Sequence, residues 1–294
     1  MDNFKTMTLN KMVFDFTAYF ANLLPLPIKR AFYKNLTISR MIRSVLNRFA
    51  PGELVKVNLM LGDDENLKMF LDLKEEKDYW LGTYEPELQF AVQSLVGRGQ
   101  VIMDVGANIG FISLIFAKKI GPEGHVYAFE ALPENVMRLK QNIEINDYLD
   151  RISIVEAAVQ DRTGDVIFLK GPSTGTGKVS GSAGRDSLEY MHQIEIPGIS
   201  IDEFIDRQEN FVPDVIKIDI EGGEVLALPG MEKTLRLIRP ILFIELHGTE
   251  AAQVSWEVLN NANYRISRMD TKFSPVRSLE DLDWKSYIVA FPNE

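Results

Sequence analysis

Five short runs rich in Val and Ile, at 101–105, 125–130, 152–155, 215–220 and 241–246, recur along the chain, with stretches of helical period at 109–119, 133–146 and 224–237 between several of them. A strand that is apolar throughout is covered on both faces, and a helix between two such strands is the crossover that parallel pairing needs. The alternation therefore predicts an α/β domain with a mostly parallel sheet and helices on both sides. A helix at 250–262, a strand at 264–267 and a last apolar strand at 287–291 complete the pattern. Ahead of it the period changes to two: Val55, Val57, Leu59 and Leu61 alternate with mostly polar neighbours. Leu67, Met69, Leu71 and Leu73 do the same beyond a polar turn at 62–66, which signals a β-hairpin. Pro86, well suited to the first turn of a helix, opens one running to about 96. The chain thus divides into an extension at 1–50, a hairpin and helix at 51–98 that lead into the core, and a main domain at 99–294.

With 294 residues, 46% of them hydrophobic, there is material for a large core, and the absence of cysteine removes any disulfide framework, thiolate metal site or cysteine nucleophile. The net charge of -10 is unevenly spread. Residues 1–50 hold eight basic side chains against two acidic ones, a net of +6, which leaves -16 for the other 244 residues. So acidic a body opposes attraction to phosphate backbones, and no nucleic-acid partner is expected. The apolar stretch at 13–28 is interrupted by Asp15, Asn22, Pro25 and Pro27 and is too short for a membrane span; no signal-peptide cleavage pattern follows it either. Its apolar residues recur at three- and four-residue spacing, and a second helical pattern at 28–49 carries most of the basic residues. Two readings stand for this front: a helical pair capping the main domain or a second copy in a homodimer, or a basic amphipathic surface resting on anionic lipid at the inner face of a membrane. Either suits a cytoplasmic protein. Residues 171–187 hold five Gly, four Ser and two Thr, too little apolar surface to order alone, and read as a mobile loop, an inert insertion or a lid over substrate. Ser200 followed by Glu203 forms a capping box that starts a helix at Ile201.

In open α/β sheets, ligands sit beyond the carboxyl ends of the strands where strand order reverses, so the strand ends carry the chemistry. The first ends Asp104-Val-Gly106-Ala-Asn108-Ile-Gly110 and runs straight into a helix. The glycines let the backbone approach a ligand, and Asp104 offers a carboxylate to a cation. Glu130, twenty residues beyond Gly110, ends the second strand where an acidic side chain can accept ribose hydroxyls. A dinucleotide fold would show G-x-G-x-x-G, whereas Asn108 occupies the second glycine position here. A cofactor with a ribose and an amino group but no pyrophosphate fits better, and S-adenosylmethionine is such a molecule. The fourth strand ends with Asp219, Glu221, Gly222, Gly223 and Glu224; the fifth ends with Glu245 and His247, one of three histidines. This cluster suits a general base for a hydroxyl or a divalent metal.

At these residues the sequence resembles the FkbM-type family of S-adenosylmethionine-dependent methyltransferases. The matching segments are GTYEPE (82–87), VIMDVGANIGFIS (101–113), GPEGHVYAFEALPENV (121–136), LKQNIEIN (139–146), VIKIDIEGGEVLALPGM (215–231) and RPILFIELHG (239–248), in the family's order. The resemblance implies a class I methyltransferase, Rossmann-like, with an antiparallel last strand, acting most often on oxygen. It implies that Asp104, Gly106, Asn108 and Gly110 hold the methionine part of the cofactor, that Glu130 takes the ribose, and that Glu156 and Ala157 line the adenine. It implies too that Tyr84 and Glu85, which fall in a family signature, close over the cofactor. One departure, Ala131-Leu132 before Pro133 where many members have proline directly after the glutamate, touches only a turn.

A sulfonium methyl is already electrophilic, so the protein must align an acceptor oxygen and remove its proton. Asp219 and His247 are the candidate bases, with Glu221 and Glu224 orienting the hydroxyl. Histidine has the more suitable ordinary pKa and Asp219 the more specific motif context. The metal candidates are Asp219, Glu221, Glu224 and Glu245. The expected acceptor is a hydroxyl of a sugar, a glycolipid or other lipid-linked glycan, or a polyketide-like small molecule. The competing reading is a noncatalytic cofactor-binding scaffold on the same fold.

Overall fold

The computed structural model describes residues 53–61, 66–171, 177–184, 190, 192–209 and 211–293. The readings for 1–50 and most of the hairpin turn lie outside these residues. The chain forms two compact units, Met1–Pro86 and Glu87–Glu294.

In the first unit, strand β1 (Val55–Asn58) pairs antiparallel with β2 (Lys68–Leu71), Val55 opposite Leu71 and Asn58 opposite Lys68. The alternation of apolar residues thus gives the expected hairpin. A short helix, Lys77–Trp80, follows.

The second unit is built on a seven-stranded sheet, in which β3 (Val101–Val105), β4 (His125–Phe129), β5 (Ile152–Val155), β10 (Val215–Ile218), β11 (Ile241–His247), β12 (Tyr264–Arg268) and β13 (Lys285–Pro292) lie in the order β12-β13-β11-β10-β3-β4-β5. β3, β4, β5, β10 and β11 pair in parallel, and the last strand, β13, runs antiparallel between β11 and β12. This strand order is that of a class I methyltransferase sheet. It reverses direction between β3 and β10, and the crevice there is where the strand-end motifs meet. Helices Pro86–Leu95, Phe111–Ile120, Pro133–Glu144 and Thr249–Asn261 fall within two residues of the expected bounds. Strands β3, β10 and β11 are almost wholly buried, as their unbroken apolar runs require.

Three parts of the pattern differ from expectation. The expected helix at 224–237 is an α-turn Glu224–Ala227, a 3-10 turn Leu228–Met231 and a π-turn Thr234–Ile238. Pro229 explains the break, because its ring cannot donate to the ladder and crowds the carbonyl four residues back. Between β5 and β10 lies a second sheet that the apolar runs do not signal, with β6 (Ala158–Val159), β7 (Gly164–Lys170), β8 (Lys178–Val179) and β9 (His192–Ile199) in the order β6-β9-β7-β8. The stretch read as a loop at 171–187 therefore contains a strand, β8, pairing Val179 with Phe168 and Lys178 with Leu169; its residues 172–176 and 185–187 lie outside the described ones. Ser200 accepts the Glu203 N–H at 3.2 Å and starts the helix Ile201–Asp206 where expected, while the Glu203 carboxylate pairs with Arg207 rather than returning to Ser200. Among the described residues, no helix is long and apolar enough to cross a membrane.

Candidate active site

The β3 end turns through three residues of positive φ: Gly106 (84°), Asn108 (50°) and Gly110 (96°). At Gly106 a Cβ would lie 1.9 Å from the Asp219 carbonyl oxygen, so only glycine lets this turn press against the chain leaving β10. The helix Phe111–Ile120 then begins at Gly110 with no side-chain cap. Asp104 lies beneath the turn rather than in it. It is fully buried, Ser113 Oγ donates to it at 2.5 Å, and Lys217 Nζ sits 3.1 Å away. Glu130 binds the two neighbouring loops together: one oxygen accepts the Asn108 N–H at 2.8 Å, the other the N–H groups of Ala131 (2.9 Å) and Leu132 (2.8 Å). Burial pushes its pKa up against the pull of these donors. Past the end of β5, Glu156 is exposed and Ala157 buried. Tyr84 and Glu85 belong to the first unit, where the Tyr84 ring lies 4.4 Å from that of Tyr79 and Glu85 has a φ of 44°.

The ends of β10 and β11 bring Asp219, Glu221, Glu224, Glu245 and His247 together. His247 is buried. Its Nδ1 lies 3.2 Å from Glu224 Oε1 and its Nε2 lies 3.2 Å from Glu245 Oε1, and 3.9 Å from both Asp219 Oδ1 and Glu221 Oε1. Glu224 also accepts the Ile220 N–H at 3.2 Å, which fixes it beneath the ring. Lys285 pairs with Glu245 from the antiparallel strand, where it stands opposite His247. Lys217 spans both halves of the crevice: its Nζ donates to the Gly106 carbonyl at 2.8 Å and lies 3.6 Å from Asp219 Oδ2.

These surroundings separate the two candidate bases. Burial alone would lower the His247 pKa, but hydrogen bonds to Glu224 and Glu245 and the charges of Glu224 and Asp219 push it up to about 11. It is therefore an imidazolium at neutral pH, and the base role read for it from its ordinary pKa gives way to that of a buried cation. Burial, followed by the repulsion of Glu245, pushes Asp219 the other way from a normal carboxylate, up to about 7. Glu245, despite burial, is held down at about 2 by His247 and Lys285. Asp219 is thus the member of the cluster whose pKa lies near neutrality.

Asp219, Glu245 and His247 each offer one ligand atom within 4.8 Å of the others, a set that could hold a metal. It takes in His247, which was not among the sequence candidates, and leaves out Glu221 and Glu224. Lys217 and Lys285 also went unread. A lysine inside an apolar strand was a signal for the first, and parallel register places it beside Asp104. No sequence signal pairs the second with Glu245.

The Gly/Ser-rich stretch reaches the same rim. Ala183 N–H donates to the Gly222 carbonyl at 2.9 Å, and a Cβ on Gly222 would lie 2.2 Å from the Ala183 carbonyl oxygen. Gly184 fits as tightly, its Cβ position being 2.6 Å from the Glu221 carbonyl oxygen. Lys178, buried, donates to the Ala183 carbonyl at 2.8 Å and holds the turn in place.

The chain is 26% identical over 197 residues to the hexuronic acid methyltransferase AglP of Haloferax volcanii, an alignment covering 66% of each chain. Over 51 residues it is 35% identical to a protein-L-isoaspartate O-methyltransferase of Ignicoccus hospitalis, 17% of this chain and 24% of that one. The chain thus spans somewhat less than two thirds of the first relative and about a quarter of the second. Among solved structures it is similar to methyltransferase FkbM from Methylobacillus flagellatus, at 17% identity and a TM-score of 0.45, over 86% of this chain and 59% of that one. The model of the methyltransferase FkbM domain matches residues 104–278, from the first strand-end aspartate to beyond β12 and over more than half the chain, and the protein belongs to that family.

Proposed function

We propose that the protein transfers the methyl group of S-adenosylmethionine to a hydroxyl of a sugar, free or within a glycan or lipid-linked unit. The observation that carries this reading is the close approach of the Gly106 turn to the Asp219 backbone, which puts a glycine turn at the end of β3 beside a group titrating near neutrality. The residues fit the cofactor: the uncapped start of Phe111–Ile120 suits a carboxylate, the turn at 106–110 has glycine at both ends, and Glu130 ends the next strand. Asp104, Gly106, Asn108 and Gly110 would hold the methionine part, Asp104 by shaping the turn from below, with Glu130 at the ribose and Ala157 and Glu156 at the adenine. When bound, S-adenosylmethionine supplies an electrophilic methyl that needs only an aligned oxygen.

Asp219 accepts the hydroxyl proton as the oxygen attacks. Lys217 and His247, both cationic and fixed, keep the emptied and filled states of Asp219 close in energy, while Glu221, the more exposed neighbour, orients the acceptor. That AglP is a hexuronic acid methyltransferase supports a sugar over a polyketide-like acceptor. We place the reaction in the cytoplasm, with no nucleic-acid partner. The basic residues of 1–50 would suit a homodimer contact or an approach to lipid-linked acceptors. Incubation with radiolabelled S-adenosylmethionine and a panel of hexose and hexuronic acid glycosides tests the reading. Label should move to a sugar; cofactor binding with transfer to none of them would favour a noncatalytic scaffold.

A second reading of hydroxyl activation is favoured by the Asp219, Glu245 and His247 set, which would hold a divalent cation that polarises the acceptor oxygen. Loss of turnover in EDTA and its return with Mg²⁺ or Mn²⁺ would select it. Unchanged turnover in EDTA leaves Asp219 as the base.

A further inference from the structure

We infer that Glu224 is a positioning residue: it holds His247 by Nδ1 from beneath, so that Nε2 is fixed toward Asp219, Glu221 and Glu245. The inference rests on the methyl-transfer reading above and moves Glu224 out of the hydroxyl-orienting role expected of it from the sequence.

The segment after β10 doubles back on itself. Gly223 N–H donates to the Ile220 carbonyl at 3.0 Å and Ile220 N–H donates to Glu224 Oε1 at 3.2 Å, so residues 220–224 close a loop around one carboxylate. The same Oε1 stands 3.2 Å from His247 Nδ1. An ionised carboxylate only accepts, so the proton of this bond lies on Nδ1. The bond keeps the ring from turning about its Cβ–Cγ axis, which leaves the opposite nitrogen one direction. Nε2 lies 3.2 Å from Glu245 Oε1 and 3.9 Å from both Asp219 Oδ1 and Glu221 Oε1.

Burial sets Glu224 apart from its neighbours. Its side chain has no exposed surface and that of His247 keeps 1%, whereas Asp219 and Glu221 are 17% and 24% exposed. A substrate hydroxyl can reach the last two and not the first, so Glu224 acts on the reaction through the ring. Nor does the loop itself require an acid. The carbonyl of a glutamine would take the Ile220 N–H as well, and the second oxygen of Glu224, Oε2, is buried with no hydrogen-bond partner among the described residues. A buried charge half supplied with donors weakens a fold. Its use lies at Nδ1, where a charged oxygen makes a stronger bond than an amide does. A carboxylate behind an imidazole keeps the other ring nitrogen aimed at the reacting group.

Turnover with radiolabelled S-adenosylmethionine and methyl β-D-glucuronide or methyl β-D-glucoside tests this on the full chain. Wild type, Glu224→Gln, His247→Gln and the double variant are compared, with calorimetry of S-adenosylhomocysteine as the control for folding. Glu224→Gln should lower kcat about 10²-fold and leave the glycoside KM within about threefold. The double variant should be slower than His247→Gln by no more than about twofold, because residues that act as one unit do not add. Nitrogen-15 NMR of ring-labelled wild type, with His247 assigned against His247→Gln, should show a proton on Nδ1. Losses that multiply in the double variant would overturn the inference, and so would a glycoside KM that rises while kcat holds, which would return Glu224 to the substrate. A Glu224→Gln chain that no longer binds S-adenosylhomocysteine would overturn it as well, because the residue would then be structural. Absence of turnover on either glycoside would remove the sugar reading, and the clamp would still stand or fall on the Nδ1 proton, whose absence would overturn it.

Discussion

The crevice has two halves, each with buried carboxylates, and they treat those carboxylates in opposite ways. At the β3 and β4 ends, Asp104 and Glu130 are held by fixed donors: Ser113 and Lys217 for the first, three backbone N–H groups for the second. At the β10 and β11 ends, four carboxylates crowd one imidazole. The first two brace backbone and a neighbouring strand, whereas the crowded ones share charge and shift in opposite directions, Asp219 up to about 7 and Glu245 down to about 2. The difference teaches that the first half is built to fix backbone and the second to keep one carboxyl titrating near neutrality.

Substitutions should expose this division. Gly106→Ala has the largest expected effect, because φ is 84° and the new methyl would meet the Asp219 carbonyl at 1.9 Å. Thermal unfolding should show a loss of ~3 kcal/mol or more together with loss of S-adenosylhomocysteine binding in calorimetry. Next, Lys217→Met strands the Asp104 carboxylate in the core and should cost about 3 kcal/mol, with cofactor binding weakened through the Gly106 carbonyl that Lys217 holds. A cost confined to Asp219 function, with the cofactor half unaffected, would break the link between the halves.

The acceptor half makes a prediction of opposite sign. Asp219 keeps its proton up to about pH 7 in the folded chain but ionises near 3.8 when unfolded, so the stability it adds is complete below 3.8 and is lost as pH rises through 7. Asp219→Asn should therefore raise the Tm at pH 8 while abolishing turnover, a separation that removal of a purely structural carboxylate would not give. His247, raised to about 11, adds stability that is complete below 6.5 and lost only as pH rises through 11. His247→Gln should accordingly destabilise throughout pH 5–9, and a variant as stable as wild type at pH 6 would show the imidazolium to be unimportant. The smallest effect is expected at Glu156, exposed past the end of β5: Glu156→Ala should shift stability by about 0.5 kcal/mol or less and weaken the cofactor only slightly.

Much of the cofactor half was legible because glycine and strand-end acids are local signals: Gly106, Gly110 and Glu130 lie where the turn and the next strand end require them. What Asp104 touches was not legible, since its partner Lys217 arrives from a strand more than a hundred residues later through parallel register. The acceptor half was legible as a set of residues and not as an electrostatic state. The His247 pKa depends on Glu224 beneath the ring and Glu245 beside it, and motif spacing carries neither contact. The sheet at β6–β9 was hidden for another reason. Only a few residues of β7 and β9, Phe168 and Ile196 among them, are buried, so their strands carry no continuous apolar run, and the Gly/Ser stretch between them masks the pairing. The break at Pro229 was written in the sequence, but the apolar period on either side of it outweighed it.

The central claim is that Asp219 is the group whose proton changes hands. It is tested most directly by kcat against pH from 5 to 9, for wild type and Asp219→Asn, with a sugar acceptor and EDTA present. The account predicts that wild-type kcat rises with an apparent pKa near 7 and levels off above it, while Asp219→Asn is lower by about 10³-fold at pH 8 and loses that dependence. A variant that retains both the rate and the rise near pH 7 would contradict it.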